Sequence, residues 1–130
     1  MREGTVKVLD DHSIEFVHIL QSLGVKRNVA KVITFLAVAG EATSRDLERG
    51  AGLRQPEVSI AMRTLRRENW VHERDVKSGQ GKGRPSKVYS LSTPVDEIIR
   101  AIEEERRKET DESMESIQKL RDLAAAGSKV

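Results

Sequence analysis

The sequence has 130 residues, enough for one domain with an appended helix. It contains no cysteine, which excludes disulfides and thiolate metal sites, and 34% of it is charged while only 3% is aromatic. No apolar run approaches the roughly 18 residues of a membrane span, and residues 1–7 lack the apolar centre of a signal peptide. We therefore expect a cytoplasmic protein that does not enter a membrane.

Charge is distributed unevenly along the chain, although the net charge is only +2. Residues 54–93 hold nine Lys or Arg against four acids, a balance of +5. Residues 94–123 hold six Lys or Arg against ten acids, a balance of −4. The basic middle segment favours a polyanion as partner, and the acidic segment indicates a second surface with another use.

The first predicted helix follows a flexible N-terminus of residues 1–11. Ser13 can cap this helix, and Ile14, Val17 and Leu20 follow it at helical spacing. Such an apolar face is large for the first helix of so short a chain. We therefore expect it to meet a second subunit.

Two further helices are predicted before the basic segment. Residues 28–39 form a broad apolar stripe, with Asn28 as a cap and Gly40 as the terminating residue, which is typical of a central core helix. After a short extended step, Ser44 can cap a short helix over residues 45–49.

The fourth helix has the clearest start signal in the chain. Residues 50–52 (Gly-Ala-Gly) turn the chain, Gln55 stands at the cap position, and Pro56 stands at the first helical position, where its missing N–H costs nothing. A short helix, a glycine turn and a Pro-started helix are the layout of a helix-turn-helix. The residues expected on the inward face of this helix are Val58, Met62 and Leu65.

A hairpin is predicted directly after the fourth helix. Residues 70–76 and 87–91 have strand character, and the loop between them is rich in glycine and positive charge. A helix-turn-helix followed by such a hairpin is a winged helix. We therefore predict a mainly α (α+β) fold: a winged helix-turn-helix over residues 12–93 with a two-stranded wing, an extra N-terminal helix and a long C-terminal helix.

The C-terminal helix is predicted over residues 94–126, after Thr93 and before Gly127. Its apolar residues lie near its two ends, on either side of the charged residues 103–112. No heptad pattern continues across that gap, so the helix either breaks there or meets a partner only at its ends. We expect this segment to serve dimerisation.

Two short motifs resemble those of a known group of regulators. Residues 55–59 read Gln-Pro-Glu-Val-Ser, and residues 83–91 read Gly-Arg-Pro-Ser-Lys-Val-Tyr-Ser-Leu. Together with the segments around them, over about residues 28–91, they resemble archaeal winged-helix transcriptional regulators akin to the ArsR, MarR and TrmB groups. The resemblance implies a recognition helix over residues 54–67, a wing over residues 79–87, and a homodimer. The chain lacks the cysteine clusters of ArsR-type metal sensors and the sugar-binding region of TrmB-type proteins.

Basic and polar residues opposite the inward face of the fourth helix are expected to contact double-stranded DNA. A major groove accepts one helix, where Arg can read guanine, Gln can pair with adenine, and an apolar side chain can touch a thymine methyl. Wing cations are expected on phosphates and in the minor groove. The predicted DNA-binding residues are Arg54, Gln55, Ser59, Ile60, Arg63 and Arg66 on the helix, and Lys77, Lys82, Arg84 and Lys87 on the wing, which spans residues 77–87.

The expected dimer contact uses apolar residues of the first and last helices. These residues are Ile14, Val17, Leu20, Ile98, Ile99 and Ile102. Two recognition helices, over residues 55–67, would then read half-sites about one helical turn apart.

No motif of the sequence indicates catalysis, a cofactor or a metal, so we expect no enzyme. Glu15 and His18 have a spacing that could hold a metal, but an ordinary surface pair accounts for it better. Two alternatives to a sequence-specific regulator stay open: a winged-helix protein-interaction module, and a chromatin-like protein that coats DNA without sequence preference. An unknown small-molecule or protein effector also stays open.

Overall fold

The computed structural model describes residues 9–76 and 86–127, which form five α-helices and three strands. The mainly helical class and the winged-helix arrangement are thereby confirmed. The chain divides into two compact units between Val95 and Asp96. The elements in chain order are α1 (Asp11–Ser22), α2 (Arg27–Ala39), β1 (Glu41–Thr43), α3 (Ser44–Ala51), α4 (Gln55–Arg67), β2 (Val71–Val76), β3 (Ser86–Leu91) and α5 (Val95–Gly127).

In α1 and α3 the capping residue lies earlier in the sequence than expected. The Ser13 backbone N–H donates to Asp10 Oδ1 at 2.9 Å, so Asp10 caps α1 and Ser13 lies inside the helix. The Asp46 N–H donates to Thr43 Oγ1 at 3.1 Å, and the Thr43 N–H donates back to Asp46 Oδ2 at 3.0 Å. This reciprocal pair is a capping box, so Thr43, not Ser44, caps α3.

The core of the first unit is built around α2, which contacts α1, α3, α4, β1 and β3. The helix begins at Arg27, without a side-chain cap, and ends at Gly40, whose φ of 88° few other residues adopt. The hydroxyl of Thr34 is buried but donates to the Ala30 carbonyl oxygen at 2.8 Å, so it costs little. The apolar residues that α2 buries are Val29, Ala30, Val32, Ile33, Phe35 and Leu36.

The turn between α3 and α4 fixes where the fourth helix starts. Gly52 has a φ of 69°, a left-handed conformation that glycine adopts without strain. The next residue, Leu53, is buried, and its N–H donates to the Glu48 carbonyl oxygen at 3.1 Å. The Arg54 N–H donates to Glu57 Oε1 at 2.8 Å, so Arg54 is the residue before the helix and Gln55 is already inside it.

The three strands form one antiparallel sheet in the order β1-β3-β2. The short extended step predicted before α3 is therefore a paired strand, in which Ala42 lies opposite Tyr89. Between α4 and β2 the chain turns at Asn69, whose φ is 63°. The Asn69 carbonyl oxygen accepts from Ser92 Oγ at 3.0 Å and from Thr93 Oγ1 at 3.3 Å, so the segment after β3 is tied to the end of α4.

The second unit contains nearly all of α5, one continuous helix of 33 residues. Its charged middle is held by pairs along the helix: Arg107 contacts Glu103 at 3.0 Å and Arg106 contacts Glu109 at 3.3 Å. Such pairs stabilise a helix where no apolar face does. Among the described residues, no helix is both long and apolar enough to cross a membrane.

Candidate nucleic-acid interface

Helix α4 presents one buried face and one exposed face. The predicted inward residues Val58, Met62 and Leu65 are each 1% exposed or less, so the expectation for that face is confirmed. Ile60, an apolar side chain, is 59% exposed on the other side. The other predicted DNA-binding residues of the helix are also exposed: Arg54, Gln55, Ser59, Arg63 and Arg66.

The start of α4 combines the helix dipole with polar side chains. Backbone N–H groups of the first turn carry partial positive charge, which attracts anions such as phosphate. Gln55 Nε2 donates to Ser59 Oγ at 3.4 Å, one helical turn along. At that length the bond is weak, so both side chains stay free to exchange it for another partner.

Acidic residues of β2 occupy the end of this surface, which the sequence did not lead us to expect. Arg66 Nη1 lies 3.0 Å from Glu73 Oε1. Lys87 Nζ lies 3.3 Å from Glu73 Oε2 and 3.3 Å from Asp75 Oδ1. Two predicted DNA-binding cations are therefore already paired with carboxylates. The i, i+2 spacing of Glu73 and Asp75 places both on one face of β2, a signal the sequence carried.

These ion pairs change the proton affinity of Lys87. The hydrogen bond to Asp75, with that to Glu73 second, holds the pKa of Lys87 above its ordinary value. Tyr89, which lies opposite Glu73 in the ladder, has its pKa raised mainly by burial and further by the charge of Glu73. The face of the sheet beside α4 is therefore a mixed charge cluster and not a uniformly basic one.

Only one of the predicted wing contacts lies in the described part of the chain. Lys87 belongs to β3, the second strand of the hairpin. Lys77, Lys82 and Arg84 fall outside the described residues. The hairpin strands themselves pair in register from Val71 opposite Leu91 to Val76 opposite Ser86, as a wing requires.

A cleft of about 320 Å³ lies in the first unit, between α1, the start of α2 and the end of α3. Its polar lining is rich in cations: Arg27 and Lys31 from α2 and Arg49 from α3. Burial lowers the pKa of Lys31 and the charge of Arg27 lowers it further, while Glu57 acts in the opposite direction. No carboxylate is found among the described residues that line the cleft, so these residues favour an anion. No sequence motif indicates this cleft, because its cations come from separate helices.

The six predicted dimer residues differ in their exposure. Val17, Leu20, Ile98 and Ile102 are buried within the single chain, whereas Ile14 and Ile99 are exposed. A larger exposed apolar surface lies further along α5, and its residues are Met114, Ile117, Leu120 and Leu123. Within the described residues no group of three or more His, Cys, Asp or Glu side chains could hold a metal ion.

Comparison with solved structures identifies the fold as that of MarR-family winged-helix regulators. NadR in complex with 4-hydroxyphenylacetate is 18% identical, with a TM-score of 0.52 over 100% of this chain and 99% of that one. A MarR family transcription regulator is 14% identical, with a TM-score of 0.51 over 92% and 85% of the two chains. A mutant MepR from a multidrug resistant S. aureus clinical isolate is also 14% identical, with a TM-score of 0.51 over 91% and 86%.

At these identities the similarity establishes the fold, including the N-terminal and C-terminal helices that the alignments cover. It gives no support to an archaeal origin or to the ArsR and TrmB groups. No protein-family model matches the chain, and a search of curated proteins finds no significant match.

Proposed function

We propose that this protein is a sequence-specific DNA-binding transcriptional regulator that acts as a homodimer. The observation that carries the proposal is the outer face of α4. It follows a helix-turn-helix turn, it is exposed, and it combines two kinds of side chain suited to a major groove: the arginines and Gln55 for base edges and phosphates, and Ile60 for a thymine methyl. Solved structures with the same fold include transcription regulators, which supports this class of function.

Selection of binding sites from random double-stranded DNA tests the proposal directly. We expect the selected sequences to share a motif with two half-sites. Arg63→Ala should weaken binding to that motif by about 1–3 kcal/mol, because a base-reading Arg contributes on that scale. Arg100→Ala is the matched control: it removes the same charge from an exposed position of α5 and should leave affinity nearly unchanged.

Two outcomes would favour the alternatives. A selection that returns no motif, with tight binding to every duplex, would indicate a chromatin-like protein that coats DNA. No salt-dependent DNA binding at all would indicate a protein-interaction module, since phosphate contacts make affinity fall steeply with salt.

We propose that the dimer forms through exposed apolar residues of α1 and α5. Ile14 and Ile99 can gain burial in a dimer, and so can the distal surface of α5 from Met114 to Leu123. Two-fold symmetry would let each copy contribute the same residues, and two copies of α4 would then read two half-sites.

We also propose that the cationic cleft receives a small organic anion as effector. The cleft has an apolar side formed by Ile14 and Val17 and a basic side formed by Arg27, Lys31 and Arg49. An anionic head would relieve the repulsion between the cations, and an apolar body would cover the α1 side. Its other wall includes Gly52, in the turn that leads to α4, so a bound ligand would contact the helix-turn-helix.

Isothermal titration calorimetry with 4-hydroxyphenylacetate, the ligand of NadR, provides the test. We expect saturable binding that Lys31→Gln weakens at least tenfold, since a hydrogen bond to a charged group contributes about 1.5–3 kcal/mol. The control Lys26→Gln removes an exposed cation that does not line the cleft. Equal binding by both variants would refute this site.

A further inference from the structure

The carboxylate of Glu73 is shared between two cations from different elements. Its Oε1 contacts Arg66 at the end of α4, and its Oε2 contacts Lys87 on β3. The side chain of Glu73 is 30% exposed, whereas those of Arg66 and Lys87 are 49% and 52% exposed. The less exposed carboxylate is therefore the centre of the cluster, and the two cations reach it from the outside.

The backbone holds this carboxylate in a fixed place. Glu73 lies in the middle of β2 and pairs across the ladder with Tyr89, which is buried. Arg66 is the next-to-last residue of α4, whose inner face is fully buried at Leu65. Both sides of the Arg66–Glu73 contact are therefore anchored in the core, so the pair links the recognition helix to the stem of the wing.

We propose that Glu73 is a specificity-determining residue, which positions Arg66 and Lys87 and restrains them from indiscriminate contact with DNA phosphates. This inference rests on the DNA-binding function proposed above. Phosphate contacts supply affinity but carry no sequence information. A carboxylate between two interface cations neutralises part of their attraction for any duplex and repels nearby phosphates. This loss of phosphate attraction weakens every complex with DNA. Only the correct DNA site offsets the loss, because its bases contact the rest of α4.

The test compares Glu73→Gln with the wild-type chain on two duplexes, one with the selected motif and one of random sequence. Affinity is measured by fluorescence anisotropy between 50 and 200 mM salt. Freeing one or two cations should steepen the slope of log K against log salt for the random duplex by about 1–2, since each phosphate contact contributes about 0.9. We expect the random duplex to bind roughly 3- to 10-fold tighter at low salt, and the specificity ratio to fall at least 3-fold.

Glu41→Gln is the matched control, because Glu41 pairs with Arg74 at 2.7 Å on the same sheet. The substitution makes the same change in net charge as Glu73→Gln. It corrects for the general effect of one lost negative charge. Glu73→Asp keeps the charge and should retain most of the wild-type slope. In Arg66→Gln/Glu73→Gln, part of the gain in non-specific affinity should disappear, which identifies Arg66 as one of the released cations.

Readouts independent of DNA separate positioning from simple loss of structure. The Lys87 pKa, followed by NMR, should fall toward its ordinary value in Glu73→Gln, and the thermal midpoint should stay near that of Glu41→Gln. If Glu73→Gln matches Glu41→Gln on both duplexes, or weakens both alike, the inference is overturned while DNA binding stands. A wild-type chain that binds no duplex overturns the proposed function and the role of Glu73 with it.

Discussion

Replacing Leu120 by Gln should break the proposed homodimer without unfolding the chain. Leu120 is 67% exposed in the single chain, on α5. Residues spaced by three shift about 60° around a helix, so Met114, Ile117, Leu120 and Leu123 cover about half of its circumference, with Ile117 and Leu120 at the centre. Gln has a helix propensity close to that of Leu, so α5 itself should persist.

The expected loss of dimerisation free energy follows from the exposed fraction of Leu120 and from the two-fold symmetry of the dimer. Full burial of a Leu side chain contributes about 1.5–3 kcal/mol, and two thirds of that surface remains to be buried, giving about 1–2 kcal/mol per copy. In a two-fold dimer both copies lose it, so the total is about 3 kcal/mol. We therefore expect the dimer dissociation constant to rise roughly 150-fold.

Sedimentation velocity over a concentration series measures this change. Glu115→Gln is the control, because Glu115 is exposed and lies on the opposite side of α5 from Leu120 and Ile117. Far-ultraviolet circular dichroism checks that both variants stay helical. A dissociation constant for Leu120→Gln equal to that of Glu115→Gln, or a wild-type chain that is monomeric at every concentration, would refute the use of this surface.

Three further predictions concern the helices that carry the site. Thr43→Ala should lower the free energy of unfolding by about 1 kcal/mol in urea titrations, while Ser44→Ala, which removes no cap, should change it by less than about 0.5 kcal/mol. Leu65→Ala should cost about 2–5 kcal/mol in the same assay, because Leu65 is fully buried, whereas Ile60→Ala on the exposed face should cost little; equal losses would contradict the assignment of the two faces. The Ser13 N–H holds the pKa of Asp10 below its ordinary value of 3.8. The Asp10 carboxylate therefore stabilises α1 above that pH, and this stabilisation is lost as the pH falls through the folded pKa. Asp10→Asn should abolish this acid-dependent part of the thermal midpoint, and an unchanged pH profile would contradict the prediction.

Local signals in the sequence were sufficient for the helix-turn-helix. The spacing of Val58, Met62 and Leu65 behind Pro56 determines which side of α4 is buried, because helix geometry alone relates those positions. The reliance on neighbouring residues also explains why some helix starts are predicted a few residues late. Asp10 and Ser13 lie three residues apart, both are good caps, and only the hydrogen bond to Asp10 distinguishes them.

Features that depend on distant residues could not be predicted in this way. In the pairing of β1 with β3, Thr43 lies opposite Val88, and no local sequence pattern predicts this pairing. The charge balance of residues 54–93 predicts a basic segment, but it does not indicate that Glu73 lies between Arg66 and Lys87. The continuity of α5 does not follow from its apolar pattern for a related reason: its middle has no apolar face, and the ion pairs found there depend on side-chain positions.

The turn at Asn69 is bonded to the segment that leads into α5. The Asn69 carbonyl oxygen accepts two hydroxyl hydrogen bonds from Ser92 and Thr93, and the Ser92 N–H donates to the Trp70 carbonyl oxygen at 2.9 Å. The last residues before α5 therefore share an anchor with the first residues after α4. A displacement of the chain at Thr93 would therefore bear directly on the turn at the end of α4, because these hydrogen bonds bypass the intervening hairpin.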